Sequence, residues 1–366
     1  MSDKQSLYLK YRPSQLNELV GQKHVVATLK QASINNEFAH AYLFSGNHGC
    51  GKTSSARILA SLLTCENVKD GMVCGKCKAC KTIHSGASLD VKELDGATSR
   101  GIDDIKMLID GAQWSPQELK RKVYLIDECH QLTKEATSAL LKILEEPPSY
   151  LVFILCTTEI KKMLPTILSR CQRFNFGKIS TKDIASRLRY IADEEKINIE
   201  EDAIYRIAQL SRGGMRDAVG YLEQIGTVAS DKLINKTHIQ KYFGVSGRDG
   251  ILNIVKSIID GNIPMVLDQV NDMIMASVDV KQIMFEISDI FRDIMILKAY
   301  KGDTKQIDLP DTEIAELNKI GDLIKLSHLL KLAHLFSDVE RKMGFNINDR
   351  WIMEATLINC IAVLRK

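Results

Sequence analysis

The sequence lacks any apolar run close to the length that spans a bilayer, which argues against a membrane span. Residues 1–12 mix charged and polar side chains and lack the apolar core and cleavage site of a secretory signal, so we expect a cytoplasmic protein. A strong net charge is also absent. Because the formal charge is only +3, any surface that binds nucleic acid must be local, with acidic residues elsewhere to offset it.

The 366 residues suffice for two or three domains of ordinary size, and the composition is that of a globular protein. The first third alternates short apolar strands with amphipathic stretches, which predicts an α/β fold with a parallel sheet covered by helices on both faces. Residues 123–126 and 151–155 are continuously apolar, as central strands buried on both faces should be. The predicted strands are Ala41–Ser45, Val91–Leu94, Val123–Asp127, Leu151–Thr157 and Arg173–Phe176.

Proline is absent between Pro165 and Pro264, where the sequence becomes steadily helical. The pair Ser180-Thr181 is a candidate helix cap that opens a predicted small helical domain ending near Phe243. Longer helices are predicted after it, and the last, over 351–364, has an apolar face broad enough to need burial on more than one side. The pattern fits a self-contained bundle and also a bundle that packs on sister subunits; periodicity does not separate them. Apolar residues at helical spacing are Ile283, Ile287, Ile290, Ile294 and Leu297, and more loosely Leu323, Leu326, Leu330 and Leu332.

A phosphate-binding loop is predicted at Gly46–Thr53 (GNHGCGKT), which fits the G-x-x-x-x-G-K-[ST] pattern. The loop lies between a predicted strand and a helix that starts near Thr53, the context that the pattern requires. Its small residues let backbone N–H groups turn inward around phosphates at a helix N-terminus, whose dipole favours anions. Lys52 is then expected to reach the β- and γ-phosphates of ATP, and the Thr53 hydroxyl to bind Mg²⁺.

Two carboxylates, Asp127 and Glu128, end the apolar strand that begins at Val123. This position places them at the C-terminal edge of the sheet, beside the nucleotide. Asp127 is predicted to hold the magnesium ion through water, and Glu128 to orient and deprotonate the attacking water. The second task separates a hydrolase from a protein that only binds nucleotide.

Three further polar residues are candidates for the same site. Thr158 follows the fourth predicted strand and is expected to hydrogen-bond the γ-phosphate or the attacking water. Arg170 precedes the fifth strand; it is either a surface ion-pair partner or, in a ring ATPase, an arginine that enters the neighbouring subunit's site and stabilises phosphoryl charge. Arg216 starts a helix of the small helical domain and is predicted to report the nucleotide state to it.

Four of the nine cysteines form a cluster with metal-ligand spacing, and two overlapping C-x-x-C steps join three of them. Four thiolates favour tetrahedral Zn²⁺; an iron–sulfur cluster uses the same ligands, but nothing nearby suggests a redox partner. Disulfides are disfavoured by the expected compartment. The remaining cysteines lie singly in or beside apolar segments and are predicted core residues. The cluster consists of Cys65, Cys74, Cys77 and Cys80.

Together these residues closely resemble one family, the gamma/tau (DnaX) subunits of the bacterial DNA polymerase III clamp loader, which are AAA+ ATPases. Residues 8–13 and 20–22 look like the family's adenine-pocket segment, and the cysteine insert has the family's position. Leu16 and Cys129 stand where the family usually has phenylalanine and valine, so both positions stay apolar. The match is weaker after Gly244. The strings that carry the resemblance are His40–Gly46, Asp127–His130, Leu140–Pro148 (LLKILEEPP), Ser169–Cys171 (SRC) and Gly213–Ala218 (GGMRDA).

The resemblance implies a domain organisation and partners. It implies an AAA+ P-loop ATPase domain over residues 1–179 with a zinc-binding insert at 65–80, a helical lid domain over 180–243 and an all-α collar domain over 244–366. Further copies of the chain and delta- and delta-prime-like subunits would form a pentameric ring in the replisome, held by the collars. ATP binding would let the ring open the sliding clamp, and primer-template DNA would trigger hydrolysis and release of the clamp.

The resemblance also implies roles for individual residues. Lys52, Thr53, Asp127 and Glu128 would act in cis, Thr158 and Arg216 (sensor 2) would sense the phosphate, and Arg170 would be the trans arginine finger. The family's DNA-facing positions match Arg100, Lys106 and Lys142, which either contact the DNA backbone or form a solvated face. The implied ATP-binding residues are Tyr11, Arg12, Pro13, Val20, Gly46, Asn47, His48, Gly49, Cys50, Gly51, Lys52, Thr53, Ser54 and Arg216.

Two other classes of protein stay open beside the clamp-loader motor. One is another DNA-dependent AAA+ ATPase, such as a helicase or remodelling motor; the other is a nucleotide-binding scaffold with little turnover. The strings LLKILEEPP and SRC favour the clamp-loader motor over a helicase. Glu128 and Arg170 argue against the scaffold, because its site would need neither residue.

Overall fold

A computed structural model describes residues 5–229, 233–243, 248–276, 278–300, 309, 311–343 and 348–365. The chain divides into two units: Met1–Ile197 with Ile207–Ser230, and Asn198–Arg206 with Asp231–Lys366. The three-domain division is finer than this and stays a prediction; its boundary at 243/244 reaches Gly244, which lies outside the described residues. Among the described residues, every helix is too short or too polar to cross a membrane.

The first unit is built on a five-stranded parallel sheet in the order β2-β3-β4-β1-β5. The strand at its centre is buried along its whole length, as its continuous apolar sequence predicts. All five predicted strands are confirmed, each within one residue at either end. The strands are β1 Ala41–Gly46, β2 Val91–Asp95, β3 Lys122–Asp127, β4 Leu151–Thr157 and β5 Gln172–Phe176.

Apolar cores cover both faces of this sheet. Successive side chains of a strand point to opposite faces, so Tyr42 and Phe44 of β1 enter one core while Ala41 and Leu43 enter the other. Burying an aromatic side chain such as Phe44 contributes roughly 1.5–3 kcal/mol relative to exposing it. A doubly wound sheet is the arrangement that satisfies two apolar faces at once, and the prediction of helices on both faces is confirmed.

Helices α1–α8 and α10 lie in the first unit, and residues of α9 belong to both units. The cap predicted at Ser180 is confirmed, because its side chain accepts the N–H of Asp183 at 3.1 Å at the start of α8. Thr133 caps α6 in the same way. These helices are α1 Leu7–Lys10, α2 Lys23–Asn35, α3 Lys52–Thr64, α4 Lys78–Ser85, α5 Ile102–Ala112, α6 Lys134–Glu145, α7 Pro165–Leu168, α8 Thr181–Glu194, α9 Glu201–Leu210 and α10 Met215–Ala229.

The second unit is helical in its described residues, and one apolar core runs through it. The predicted series Ile283, Ile287, Ile290, Ile294 and Leu297 is wholly buried on α14, which confirms that periodicity. Trp351 and Ile358 of α17 stay exposed, so within one chain the last helix is buried on one side only. The helices are α11 Lys236–Phe243, α12 Arg248–Asp260, α13 Ile263–Met275, α14 Val280–Ala299, α15 Asp311–Asp322, α16 Leu326–Lys342 and α17 Asp349–Leu364.

The second, looser leucine series does not form one buried face, because only Leu332 of its four members is buried. Leu323 lies between α15 and α16 with 73% of its surface exposed, and Leu326 and Leu330 are also exposed. Leu323 precedes the start of α16 at Leu326 and so is not part of that helix, while Leu326 and Leu330, one turn apart, lie together on its exposed face. The face that α16 buries instead has regular helical spacing: Leu329, Leu332, Phe336 and Val339.

Candidate active site

The loop between β1 and α3 is shaped by glycines and by the amine of Lys52. Gly49 and Gly51 have φ angles of 69° and 101°, which residues with a Cβ rarely adopt. The buried Nζ of Lys52 donates hydrogen bonds of 2.8 Å to the carbonyl oxygens of Gly46 and Asn47. The lysine therefore crosses the loop at the N-terminus of α3, where unpaired N–H groups and the helix dipole favour an anion.

The same loop is anchored from outside by Gln22. Its Nε2 donates to the carbonyl oxygens of Cys50 and Gly177, at 3.3 and 2.8 Å, and so ties the loop to the segment after β5. The thiol of Cys50 donates to the carbonyl of Asn47 at 2.9 Å, and burial raises its pKa. Cys50 is thus a packed, protonated part of the loop, as its apolar context predicts.

Thr53 and Asp127 meet directly across the site. The Thr53 hydroxyl donates to Oδ2 of Asp127 at 2.6 Å, and Oδ1 of the same carboxylate accepts the N–H of Glu128 at 2.9 Å. A hydroxyl and a carboxylate are the oxygen ligands that Mg²⁺ takes in nucleotide sites. The two residues predicted to serve magnesium are therefore adjacent.

Glu128 follows β3 with a left-handed backbone, φ 45° and ψ 42°. Its Oε2 accepts the Thr158 hydroxyl at 2.9 Å and the Thr158 N–H at 3.3 Å, while Oε1 lies 3.6 Å from Nδ1 of His48 on the phosphate-binding loop. Non-glycine residues hold such a conformation at a cost of about 1–3 kcal/mol, and they concentrate at functional sites. The fold thus fixes this carboxylate beside the loop.

Gly96 explains how β2 ends so close to these carboxylates. Its N–H donates to the carbonyl of Asp127 at 2.8 Å, and a Cβ at this position would lie 2.7 Å from the carbonyl oxygen of Glu128. Any larger residue would push the Asp127-Glu128 backbone aside.

A cleft of about 350 Å³ joins the phosphate-binding loop to the N-terminal segment. Arg12 donates from Nε to Oγ of Ser54 at 3.4 Å; burial, and then the charge of Arg57, lowers its pKa. Gly46 and Asn47 are not part of the lining and contact Lys52 instead. The predicted ATP-binding residues that line the cleft are Tyr11, Arg12, Pro13, Val20, His48, Gly49, Cys50, Gly51, Lys52, Thr53, Ser54 and Arg216.

The start of α10 touches the phosphate-binding loop. The N–H of Met215 donates to the carbonyl of Gly49 at 2.9 Å, and a Cβ on Gly49 would come within 3.0 Å of the Cα of Gly214. Arg216, the next residue, holds its guanidinium 5.0 Å from the ring centre of Tyr8, a cation–π distance. The phosphate-binding loop and the start of α10 are therefore in direct backbone contact.

Arg170 and the three candidate DNA contacts lie away from the cleft. The guanidinium of Arg170 pairs with Oε1 of Glu145 at 2.5 Å and donates to the carbonyl of Thr166 at 2.9 Å. Arg100 precedes α5, Lys106 lies on α5 and Lys142 on α6, and all three are exposed. Because α5 packs against α6, the last two belong to one helical layer.

The four clustered cysteines converge in space. Their sulfur atoms all lie within 4.8 Å of one another, with Cys65 and Cys77 3.9 Å apart and Cys74 and Cys80 4.0 Å apart. A tetrahedron with metal–sulfur bonds of about 2.3 Å has edges of about 3.8 Å, so this cage can hold a metal ion. Backbone N–H groups of Lys76 and Cys77 lower the pKa of Cys74 to about 6, whereas burial raises the pKa of Cys65 and Cys80.

Sequence reasoning assigned no role to several residues of this site. Gln22 and His130 occur in the motif strings, but only the structure shows their contacts. Glu18, Glu93 and Arg187 line the cleft from three separate segments, and no pattern in the sequence brings those segments together.

Three family models match the chain in succession. The first, described as "DNA polymerase III, delta subunit", matches residues 21–180; the second, "DNA polymerase III clamp loader subunit, ATPase lid domain", matches residues 183–227. The third, "DNA polymerase III subunits gamma and tau domain III", matches residues 234–364.

Among solved structures, the chain resembles the Thermotoga maritima RuvB Holliday junction branch migration motor, at 22% identity and a TM-score of 0.48, over 68% of this chain and 79% of that one.

Curated relatives agree with the family models. The chain is 38% identical over 305 residues to the DNA polymerase III subunit tau of Bacillus subtilis, over 81% of this chain and 53% of the relative. It is 33% identical over 315 residues to the tau subunit of Escherichia coli, over 85% of this chain and 49% of the relative. The chain spans about half the length of the curated relatives it matches. It belongs to the gamma/tau family of DNA polymerase III subunits.

Proposed function

We propose that this chain is the ATPase motor subunit of a DNA polymerase III clamp loader. ATP binding would drive opening of the sliding clamp, and hydrolysis triggered by primer-template DNA would release the clamp on that DNA. The observation that carries the proposal is the meeting of Lys52, the Thr53–Asp127 pair and Glu128 at one cleft. Family membership supports the choice of a clamp loader over other ATPases.

Nucleotide binding would exchange the partners of Lys52. Its amine now hydrogen-bonds two loop carbonyls, and the β- and γ-phosphates of ATP would offer it charged acceptors, which bind about twice as strongly as neutral ones. Thr53 and Asp127 would hold Mg²⁺, which supplies charge neutralisation at the phosphates. Arg12 and the segment from Tyr11 to Val20 would enclose the base and ribose side of the cleft.

Hydrolysis would depend on Glu128 as general base. One of its carboxylate oxygens is held by Thr158 and the other faces the phosphate-binding loop, so the base is oriented before substrate arrives. Thr158 would register the γ-phosphate through its contact with Glu128, and Arg216 would carry the same information into the lid.

The site would be completed by a neighbouring subunit. Arg170 does not line the cleft of its own chain, which suits an arginine that acts in trans on an adjacent ATP. We propose a pentameric ring of further copies of this chain with delta- and delta-prime-like subunits, acting at the replisome in the cytoplasm. Its AAA+ domain would comprise residues 1–179, its lid 180–243, and a collar over 244–366 would hold the ring together.

The cysteine cage would hold structural zinc on the flank of the ATPase domain. Four thiolates and near-tetrahedral spacing favour Zn²⁺ over harder cations. Separately, Arg100, Lys106 and Lys142 would contact the DNA backbone inside the ring. Their exposure supports this role, and contacts to phosphates would not read the DNA sequence.

The proposal is tested by an ATPase assay on the chain assembled with its partner subunits, with primer-template DNA and with or without the cognate sliding clamp. We expect DNA to stimulate turnover and the clamp to stimulate it further. Stimulation by DNA that is indifferent to the clamp would instead identify a helicase or remodelling motor. A complex that binds ATP without turnover would identify a scaffold. The Lys52→Ala chain, assembled in the same way, measures contaminating ATPase.

A further inference from the structure

His130 has an unusual place between two carboxylates. It lies in the one-turn 3-10 helix Cys129–Gln131 that follows Glu128, and only 6% of its side chain is exposed. A buried imidazole needs polar partners, because leaving its nitrogens unpaired would cost about 1–3 kcal/mol. The partners that it finds here belong to the candidate catalytic base and to the end of β4.

Both ring nitrogens are engaged. Nδ1 lies 3.0 Å from the hydroxyl of Thr157 and 3.3 Å from Oε2 of Glu128. Nε2 lies 3.4 Å from Oε1 of Glu159, an oxygen that Lys162 also contacts, at 2.8 Å. The imidazole thus bridges from Glu128 to the turn after β4, and the Thr157 hydroxyl also accepts the N–H of Glu159 at 3.0 Å.

These contacts fall unequally on the two oxygens of Glu128. Oε2 receives the hydroxyl and N–H of Thr158 and faces His130, whereas the contact that Oε1 makes within the described part of the chain is with His48, at 3.6 Å. A carboxylate held by one oxygen cannot rotate freely about its last bond, so the other oxygen keeps a fixed direction. This second oxygen, Oε1, lies on the side of the phosphate-binding loop.

We propose that His130 is a positioning residue that, together with Thr158, holds Oε2 of Glu128 so that Oε1 is presented to the attacking water. This inference rests on the proposed ATPase function. His130 acts through Glu128 and touches neither nucleotide nor water itself. The role assigned to Nδ1 is to fix the base, and the role assigned to Nε2 is to tether the imidazole to Glu159.

The two nitrogens can be separated by substitution. The amide nitrogen of asparagine occupies nearly the place of Nδ1, and that of glutamine nearly the place of Nε2. His130→Asn therefore keeps a donor toward Glu128, while His130→Gln keeps a donor toward Glu159 only. Because the two replacements also differ by one methylene, a histidine that merely fills the core would give rate losses that follow the losses of thermal midpoint.

The experiment measures single-turnover ATP hydrolysis, nucleotide affinity and thermal midpoint for the full chain in the assembled complex. Because 1 Å of misplacement can cost about 100-fold in rate, we expect His130→Ala and His130→Gln to slow hydrolysis by about 10- to 100-fold. By the same principle, we expect the hydrolysis rate of His130→Asn to stay within about fivefold of the wild-type rate. Nucleotide affinity should change little in all three His130 variants. His40→Asn and His40→Gln are matched controls, since His40 is exposed at the opposite edge of the sheet.

Three results would overturn the inference. Equal hydrolysis rates for the asparagine and glutamine variants would show that the contact of Nδ1 with Glu128 does not determine the rate. Rates that simply follow the loss of thermal midpoint would assign His130 to structure alone. A wild-type complex that binds but does not hydrolyse ATP would refute the proposed function itself, and with it any role of His130 in hydrolysis.

Discussion

Replacing Glu128 with glutamine should stop hydrolysis while leaving ATP binding intact. The carbonyl oxygen of the new amide can accept the two Thr158 donors that Oε2 accepts now, at 2.9 and 3.3 Å, so the local packing survives. The group that faces the phosphate-binding loop becomes an amide, which has no basic lone pair. The variant therefore removes the base and little else.

The size of the effect follows from the role assigned to the carboxylate. Positioned general bases contribute about 10²- to 10⁴-fold, which corresponds to roughly 3–5 kcal/mol of transition-state stabilisation. Nucleotide affinity should be unchanged or slightly tighter, because one negative charge near the triphosphate disappears. A loss confined to the rate is the signature of an interaction made in the transition state.

The assay is single-turnover hydrolysis of radiolabelled ATP by the assembled complex, with affinity measured separately by a fluorescent nucleotide. Glu135→Gln is the matched control. Glu135 is an exposed residue of α6, so this substitution makes the same chemical change away from the cleft. Hydrolysis by Glu128→Gln at a rate near that of Glu135→Gln would refute the assignment of the base.

Three further predictions address the loop, the neighbouring subunit and the metal. Lys52→Ala should weaken ATP binding by about 10- to 100-fold, the worth of a charged hydrogen bond, and abolish clamp loading; unchanged affinity by titration would contradict this. Arg170→Ala should keep its affinity for ATP and lose about 10³-fold in turnover, and this loss should appear only in the assembled ring. An equal loss of turnover in a lone chain would exclude a trans role. Atomic emission analysis should find one zinc ion per chain in the wild type and none in Cys77→Ser. The zinc should be released as pH falls, because protons compete for the thiols of Cys65 and Cys80, whose pKa burial raises; an iron signal would overturn the zinc assignment.

Much of the first unit was predictable because its signals are local. Strand β4 is a run of apolar residues long enough to identify and too apolar to be exposed, and the phosphate-binding loop is contiguous in sequence. The cysteine cage could also be predicted, since C-x-x-C spacing already brings two thiols within reach of one ion. In each case the residues that cooperate are near neighbours along the chain.

The features that could not be predicted depend on where distant segments meet. Contact between the Met215 N–H and the Gly49 carbonyl joins residues 166 positions apart, and no periodicity encodes it. The left-handed backbone of Glu128 was equally hidden, because a glutamate carries no propensity for positive φ and is held there by its surroundings. For Leu323 a local signal was misleading. Its spacing to the later leucines looked helical, but α16 begins after it, at Leu326.

The ion pair of Arg170 bears on how freely this arginine can serve a neighbour. Its side chain is 32% exposed and that of Glu145 52%, and pairs so exposed are worth about 0–1 kcal/mol. An arginine finger is worth about 10³- to 10⁵-fold in rate, or roughly 4–7 kcal/mol. Breaking the pair would therefore take only a small part of what the proposed trans contact supplies. Glu145 is thus too weak a partner to hold Arg170 back, and the approach of the next subunit, not release from Glu145, would decide when the finger acts.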